Sequence, residues 1–260
     1  MLTAISILTS LGFAVCYPFC FLIHANSPIR SGFHKFHLGM PLVVGGVVFV
    51  CLLAGAVVSL IKGLLAIWFF PFAFLTFFYW NREYPNSFVI AVPSLFGLLA
   101  FTRTQSELLG GLPLKGGVAV TGILAGLILC ASLHSMMLGH HYLNVKGLPI
   151  WHLRRATYIL WGLLGLRILW DLYLLFYGRV MHGGDQIAIG RFLMTLEGFL
   201  LWIGIFFGTL FPFTALFFVK EIIKVRNTQA ATGLLYVVLS SVLMGDLTYK
   251  YYLVKYGVVL

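Results

Sequence analysis

The stretch GGVAVTGILAGLILCASLHSMMLGHHY, from Gly116 to Tyr142, decides the fold class of this chain. Its apolar length exceeds the roughly 20 residues that an α-helix needs to cross the hydrocarbon core of a bilayer. Read as a helix, it places four potential metal ligands on one face, at spacings of i, i+4, i+7 and i+11: Cys130, His134, Met137 and His141. Polar groups at membrane depth are costly unless they are paired or functional, so we expect this face to contribute to function.

The composition extends the same conclusion to the whole chain. Hydrophobic residues make up 61% and charged residues 9%, and the mean hydropathy is +1.01. In soluble domains roughly a quarter of all residues are charged. A composition this poor in charge identifies an integral membrane protein. We find no hydrophilic stretch of the about 50 residues that a separate soluble domain requires. The sequence therefore predicts one all-α transmembrane domain over residues 1–260.

Apolar runs divide the chain into about eight predicted transmembrane helices joined by short loops. The predicted ranges are 2–24, 38–61, 64–80, 88–101, 116–142, 156–177, 191–219 and 229–251, with Lys62 and Gly63 as a tight turn. The range 88–101 is short and contains Pro93, so it either crosses the membrane or re-enters it. Residues 2–24 are interpreted as a retained helix, because they lack a basic leader and a cleavage site.

Charge, motifs and the placement of the cysteines each argue against a class of function or structure. The net charge is +10, but the basic residues occur singly in short loops, which is typical of membrane topology and not of nucleic-acid binding. Their slight excess in the loops opposite the termini favours termini outside. We expect the protein to reside in a prokaryotic-type inner (plasma) membrane. The motifs of P-loop ATPases, serine hydrolases and zinc proteases do not occur in the sequence. The four cysteines lie in apolar runs, which argues against a disulfide framework.

The histidines have an uneven distribution. With the predicted helix order, seven of them belong to the same half of the membrane and only His182 to the other. The seven are His24 at the end of helix one, His34 and His37 before helix two, His134, His140 and His141 in helix five, and His152 before helix six. Histidine is a common ligand of haem iron, copper and zinc, so this half is the predicted seat of a cofactor.

The first hypothesis is a b-type haem subunit, with one or two haems, that transfers electrons between quinol and a protein partner. Haem needs axial histidines from two helices at similar depth and an apolar pocket; the chain supplies 24 phenylalanines. Depth favours His24 or His37 opposite His140 or His141, while His134 would serve a second haem or a quinone. The propionates would meet flanking basic residues: Arg30, Lys35, Lys146 and Arg154.

Two alternatives remain open. A carrier or assembly factor for copper or a related transition metal would use soft ligands on helices one, two and five: Cys16, Cys20, His24, His37, Met40, Cys130, His134, Met137 and His141. Of these, Cys16, Cys20 and His24 would form an i, i+4, i+8 stripe on a regular helix. The other alternative is a cofactor-free anchor subunit. In every case we expect the protein to work with other membrane or peripheral redox subunits and with lipid.

A second polar group is predicted in the opposite half of the membrane. Arg167 and Asp171 are spaced i, i+4 on helix six and can form an ion pair. Glu197, placed two turns into helix seven, and Asp246, near the end of helix eight, are expected to approach the same level. Such acids could conduct protons, bind a cation or form a buried structural network.

Overall fold

A computed structural model of the chain describes residues 1–24, 29, 33–55, 58–110, 116–145 and 147–260. Arg30 and Lys146, two of the basic residues predicted to meet haem propionates, lie outside these ranges.

Eight helical segments in the described part of the chain are long and apolar enough to cross a membrane. They confirm the predicted all-α membrane bundle. The helices are α1 (Leu2–Cys16) with a 3-10 segment (Tyr17–His24), α2 (Phe33–Ala54), α3 (Ser59–Tyr79), α4 (Ser87–Leu108), α5 (Gly116–Asn144), α6 (Trp151–Tyr177), the pair α8 (Phe199–Ile205) and α9 (Phe211–Lys224) joined by a π-helical segment (Phe206–Leu210), and α10 (Thr228–Tyr256). Between α6 and α8 lie the strands β1 (Arg179–His182) and β2 (Asp185–Ala188) and the one-turn helix α7 (Ile189–Phe192).

The connection between α2 and α3 differs from the prediction. Lys62 and Gly63 lie inside α3, and α2 has already ended at Ala54. A lone glycine costs a helix only about 1 kcal/mol, so it does not have to mark a turn. The Lys62 ammonium donates a hydrogen bond of 2.9 Å to the carbonyl of Leu53 and so bridges the two helices.

Helix α4 is as long as its neighbours. Asn86 caps it by accepting hydrogen bonds from the amides of Phe88 and Val89, and the helix then continues for 22 residues through Pro93. Its length is that of a full membrane crossing. The end predicted at residue 101 was too early because the polar segment after Phe101 continues as helix to Leu108.

The chain divides into two compact units, an N-terminal unit (Ser6–Cys130) and a C-terminal unit (Ala131–Leu260 with Met1–Ile5). In the N-terminal unit the fully buried Trp68 lies in a slot between Gly45 of α2 and Gly97 of α4. A Cβ atom on either glycine would lie under 3 Å from the indole ring. Trp68 stacks on Phe72 at 6.3 Å, which extends this core along α3.

In the C-terminal unit, the predicted helix over residues 191–219 is interrupted. Strands β1 and β2 form an antiparallel hairpin around Gly183 and Gly184, both with positive φ, a turn that glycine favours. After α7 the chain turns tightly, since a Cβ atom on Gly198 would lie 2.0 Å from the carbonyl oxygen of Phe192. The membrane-crossing helix therefore begins at Phe199.

Candidate functional site: a buried charge network

Helix α6 brings the first two charges together inside the C-terminal unit. The Nε atom of Arg167 lies 2.8 Å from Oδ1 of Asp171, one helical turn away, and the two residues are only 2% and 4% exposed. Burial of a charge costs several kcal/mol unless an opposite charge and hydrogen bonds compensate it. This distance confirms the predicted i, i+4 ion pair, which compensates part of the cost of burial.

Two hydroxyl groups complete the surroundings of Asp171. Thr209 in the π-helical segment donates to Oδ2 of Asp171 at 3.3 Å, and Tyr249 of α10 donates to the same oxygen at 3.2 Å. The two hydroxyl oxygens are themselves 2.9 Å apart. The guanidinium of Arg167 lies over the Tyr249 ring, 4.3 Å from its centre, which adds a cation–π contact.

The π-helical segment determines where Thr209 points. A π turn adds a residue to a helical turn, and such turns occur often at functional sites. Gly208 permits close approach to α10, because a Cβ atom there would lie 2.8 Å from the Cα atom of Gly245. Ser241 of α10 donates a hydrogen bond to the carbonyl of Phe207. Pro212, which has no amide hydrogen, follows at the start of α9.

A second ion pair lies on α10. The ammonium of Lys250 donates to both carboxylate oxygens of Asp246, one turn earlier, and both residues are 5% exposed. Tyr249, which donates to Asp171, lies on the same turn of α10 as this ion pair. We call these six side chains the buried charge network: Arg167, Asp171, Thr209, Asp246, Tyr249 and Lys250. Its two acids and two bases balance in formal charge.

Glu197 does not belong to the buried charge network. It lies in the turn before α8, not two turns into a helix, so its predicted position is wrong. Its carboxylate is exposed and pairs with His182 of β1, with 3.2 Å between Oε2 and Nδ1. The sequence did not predict three members of the network: Lys250, Tyr249 and Thr209. Lys250 had a usable signal in its i, i+4 spacing from Asp246, whereas the two hydroxyl residues had none.

In the N-terminal unit, the predicted ligand His37 is surrounded by aromatic side chains. It lies in the second turn of α2, not before that helix, and it is buried. Its Nδ1 atom is hydrogen-bonded to the hydroxyl of Tyr17, and the Phe33 ring lies 3.9 Å from its own. His34, also predicted before helix two, is likewise inside α2.

The predicted stripe of Cys16, Cys20 and His24 presumed a regular α-helix throughout, whereas α1 ends at Cys16. A 3-10 helix has three residues per turn, so a spacing of four no longer returns to the same face, and residues 17–24 adopt this form. Cys20 and His24 are buried and Met40 is partly buried. The thiol of Cys130 donates to the carbonyl of Phe13 at 3.3 Å, which is an ordinary packing role.

The remaining predicted ligands lie in the C-terminal unit, on α5. His134 is buried, Met137 and His141 are partly buried, and His140 is exposed. His152, predicted before helix six, lies in the first turn of α6. Across the described residues, no group of three or more His, Cys, Asp or Glu side chains has an arrangement that could hold a metal ion.

The buried charge network contains groups that can bind and pass on protons: Asp171 with the hydroxyls of Thr209 and Tyr249, and Asp246 with the ammonium of Lys250. No protein-family model, curated protein or solved structure matches the chain.

Proposed function

We propose that this protein is a subunit of a membrane complex and that it transfers protons through the buried charge network of its C-terminal unit. One observation carries the proposal: the carboxylate of Asp171 is held inside the membrane-crossing helices between the guanidinium of Arg167 and the hydroxyls of Thr209 and Tyr249. Ionisable side chains within membrane helices are rare and costly, and they mark ion pathways and proton relays.

The number of protons available around Asp171 supports this function. Three oxygen contacts form a ring: Thr209 to Asp171, Tyr249 to Asp171, and Thr209 to Tyr249. The two hydroxyls supply two hydrogens, so they satisfy two of these contacts when Asp171 is ionised. A proton on Asp171 supplies the third. The ring therefore accommodates both protonation states of the carboxyl group with little rearrangement.

The position of the network also suits proton exchange with water. Asp171 lies six residues before the end of α6 at Tyr177, or about 9 Å along the helix axis. Lys250 lies equally far before the end of α10 at Tyr256. The β hairpin follows α6 at this end and contacts α10, so a short path from the hairpin side would reach both ion pairs.

Stability alone gives a weak reason to bury four charges. Replacing a buried ion pair by apolar residues of similar volume is often neutral or stabilising, by about 1–4 kcal/mol. A purely structural subunit would gain little from Arg167, Asp171, Asp246 and Lys250. A proton pathway, in contrast, requires groups that can bind and release protons at this depth.

Proton flux into liposomes tests the proposal. The purified protein is reconstituted with a pH-sensitive dye inside, and a potassium diffusion potential is applied with valinomycin. We expect proton uptake above that of empty liposomes, and at least roughly tenfold slower uptake for Asp171→Asn and Tyr249→Phe, because removal of one proton-transfer group typically costs about 10²–10⁴-fold. Glu221→Gln, which removes an exposed carboxylate of the same unit, serves as the control.

The Tyr249→Phe variant controls for misfolding, because it removes only the hydroxyl group and keeps the aromatic ring and both ion pairs. Uptake at the rate of empty liposomes, or equal uptake by wild type and Tyr249→Phe, would refute the proposal. A loss of uptake in Glu221→Gln as large as in Asp171→Asn would refute it too.

A second candidate function is haem-dependent electron transfer with a quinol, and the Tyr17–His37 hydrogen bond favours it. A metal-bound histidine is normally oriented by a hydrogen bond through its other ring nitrogen, and Nδ1 of His37 has such a bond. Oxidised and reduced absorbance spectra test this function. Haem bands in the wild-type spectra would support it if His37→Ala removes them. Cys51→Ala, which changes an exposed residue, should leave them unchanged.

Spectra without haem bands exclude the haem function. Stoichiometric copper in the same preparation would then indicate the copper carrier, and absence of cofactor and proton flux together would indicate the anchor subunit.

A further inference from the structure

A basic cavity lies at the opposite end of α6 from the hairpin. Its walls come from the first turns of α6 and the last turns of α9, which meet at the same end of the C-terminal unit. The lining residues are Arg154, Thr157, Tyr158, Lys220, Ile223 and Lys224. Since Trp151 and Lys224 are also the ends of two membrane-crossing segments, the cavity lies at the level where a bilayer presents its headgroups.

The cavity has the charge and the size for a phosphate group. Three of the side chains that line it are cationic: Arg154, Lys220 and Lys224. Glu221 offsets one of them, because it pairs with Lys224 at 2.7 Å and lies 3.8 Å from Lys220. The space open to water is about 90 Å³, whereas a single water needs roughly 10–15 Å³.

Aromatic residues hold one of the cations in place. The ammonium of Lys220 lies 5.4 Å from the centre of the Phe217 ring and 5.8 Å from that of Trp161. These distances are within the range of cation–π attraction. Tyr158, which lines the cavity, and Phe217, which contacts Lys220, also expose large apolar surfaces, where the acyl chains of a lipid would pack.

We propose that this cavity binds a phosphate-type anion, presented by the headgroup of an anionic phospholipid. Basic pockets between membrane helices bind such headgroups through Lys and Arg, and Arg forms bidentate hydrogen bonds with phosphate oxygens. The exposed aromatic surface beside the cations favours a lipid over free phosphate. The site is separate from the buried charge network and does not depend on proton transfer.

Lipid-dependent thermal stability tests the site. The purified protein in detergent is titrated with phosphatidylglycerol, phosphatidylcholine or inorganic phosphate, and the unfolding temperature is followed. We expect phosphatidylglycerol alone to raise it, because a ligand that binds the folded state stabilises it by mass action. In Arg154→Gln/Lys220→Gln the affinity should fall roughly 30-fold, since each cation near an anionic surface contributes a factor of about five.

The matched control is Arg179→Gln/Arg191→Gln, which removes two exposed cations at the other end of α6. It should respond to phosphatidylglycerol like wild type. A response to inorganic phosphate that Arg154→Gln/Lys220→Gln abolishes would support the anion site with free phosphate as its source. No shift with any anion, or an equal loss in both double variants, would overturn the proposal.

Discussion

Gly208 and Gly245 place the π-helical segment in backbone contact with α10: a Cβ atom built on Gly245 would lie 2.0 Å from the Cα atom of Gly208. Thr209, the next residue after Gly208, donates to Asp171, and Tyr249 follows Gly245 by one turn. The close approach of these two glycines therefore sets the distance between the two hydroxyls that surround Asp171.

The first prediction concerns this contact. We expect Gly245→Ala to lower the free energy of unfolding by about 1–3 kcal/mol, because the new methyl group meets backbone atoms that cannot rotate away. The shift in unfolding temperature in detergent measures the effect. Gly233→Ala, on the same helix but with open space around its Cβ position, is the control. Gly233→Ala should be neutral or raise the free energy of unfolding by up to about 1 kcal/mol. Equal losses of stability in both variants would show that the Gly208–Gly245 contact is not the cause.

The second prediction separates the structural role of the ion pair from its chemical role. Asp171→Asn leaves the Arg167 charge buried without its counter-ion, so we expect a loss of about 3–5 kcal/mol in stability. Arg167→Met/Asp171→Leu removes both charges and should regain most of that stability, while proton uptake into liposomes stays at least as slow as in Asp171→Asn. Unfolding temperature and proton uptake are measured on the same preparations. Recovery of uptake in the apolar double variant would contradict a role of this pair in proton transfer.

The third prediction concerns the thiols. Cys51 is exposed, whereas Cys16, Cys20 and Cys130 are buried. Cys51 lies one turn before the end of α2, on its outer surface. In detergent solution we therefore expect N-ethylmaleimide to modify one thiol of the folded protein, and Cys51→Ala to abolish that rapid modification. Mass spectrometry before and after denaturation counts the modified thiols. Rapid labelling of the folded Cys51→Ala variant would contradict the buried positions of the other three.

The fold was predictable because hydropathy depends on local sequence. Each membrane-crossing helix requires a long apolar run, and these runs are visible without any tertiary contact. Helix ends were less predictable. Lys62 and Gly63 resemble a turn in composition, yet both continue α3, and the helix that contains Thr209 begins only at Phe199.

The candidate site was predictable only in part, for a similar reason. Arg167 and Asp171 are one turn apart on a single helix, so their spacing alone predicts the pair. Thr209 and Tyr249 reach the same carboxylate from other helices, through a π turn and a glycine contact that sequence spacing does not reveal. The regular helix on which the cysteine and histidine stripe was predicted ends at Cys16, and residues 17–24 continue as a 3-10 helix.

The fourth prediction concerns the core of the N-terminal unit. Cβ atoms built on Gly45 and Gly97 would lie 2.6 Å and 2.7 Å from atoms of the Trp68 indole. We therefore expect Gly97→Ala to reduce stability by about 1–3 kcal/mol, whereas Gly63→Ala, with open space around it on α3, should not. The unfolding temperature of the purified variants measures this difference.

A double-mutant cycle tests the cause of that loss. Trp68→Leu alone opens a cavity and should cost stability, but it also makes room for the methyl group of Gly97→Ala. The two substitutions together should therefore cost less than the sum of the single losses, by at least roughly 0.5 kcal/mol. Strict additivity would mean that Gly97 accommodates something other than the indole ring, and the described slot would not explain why glycine is needed there.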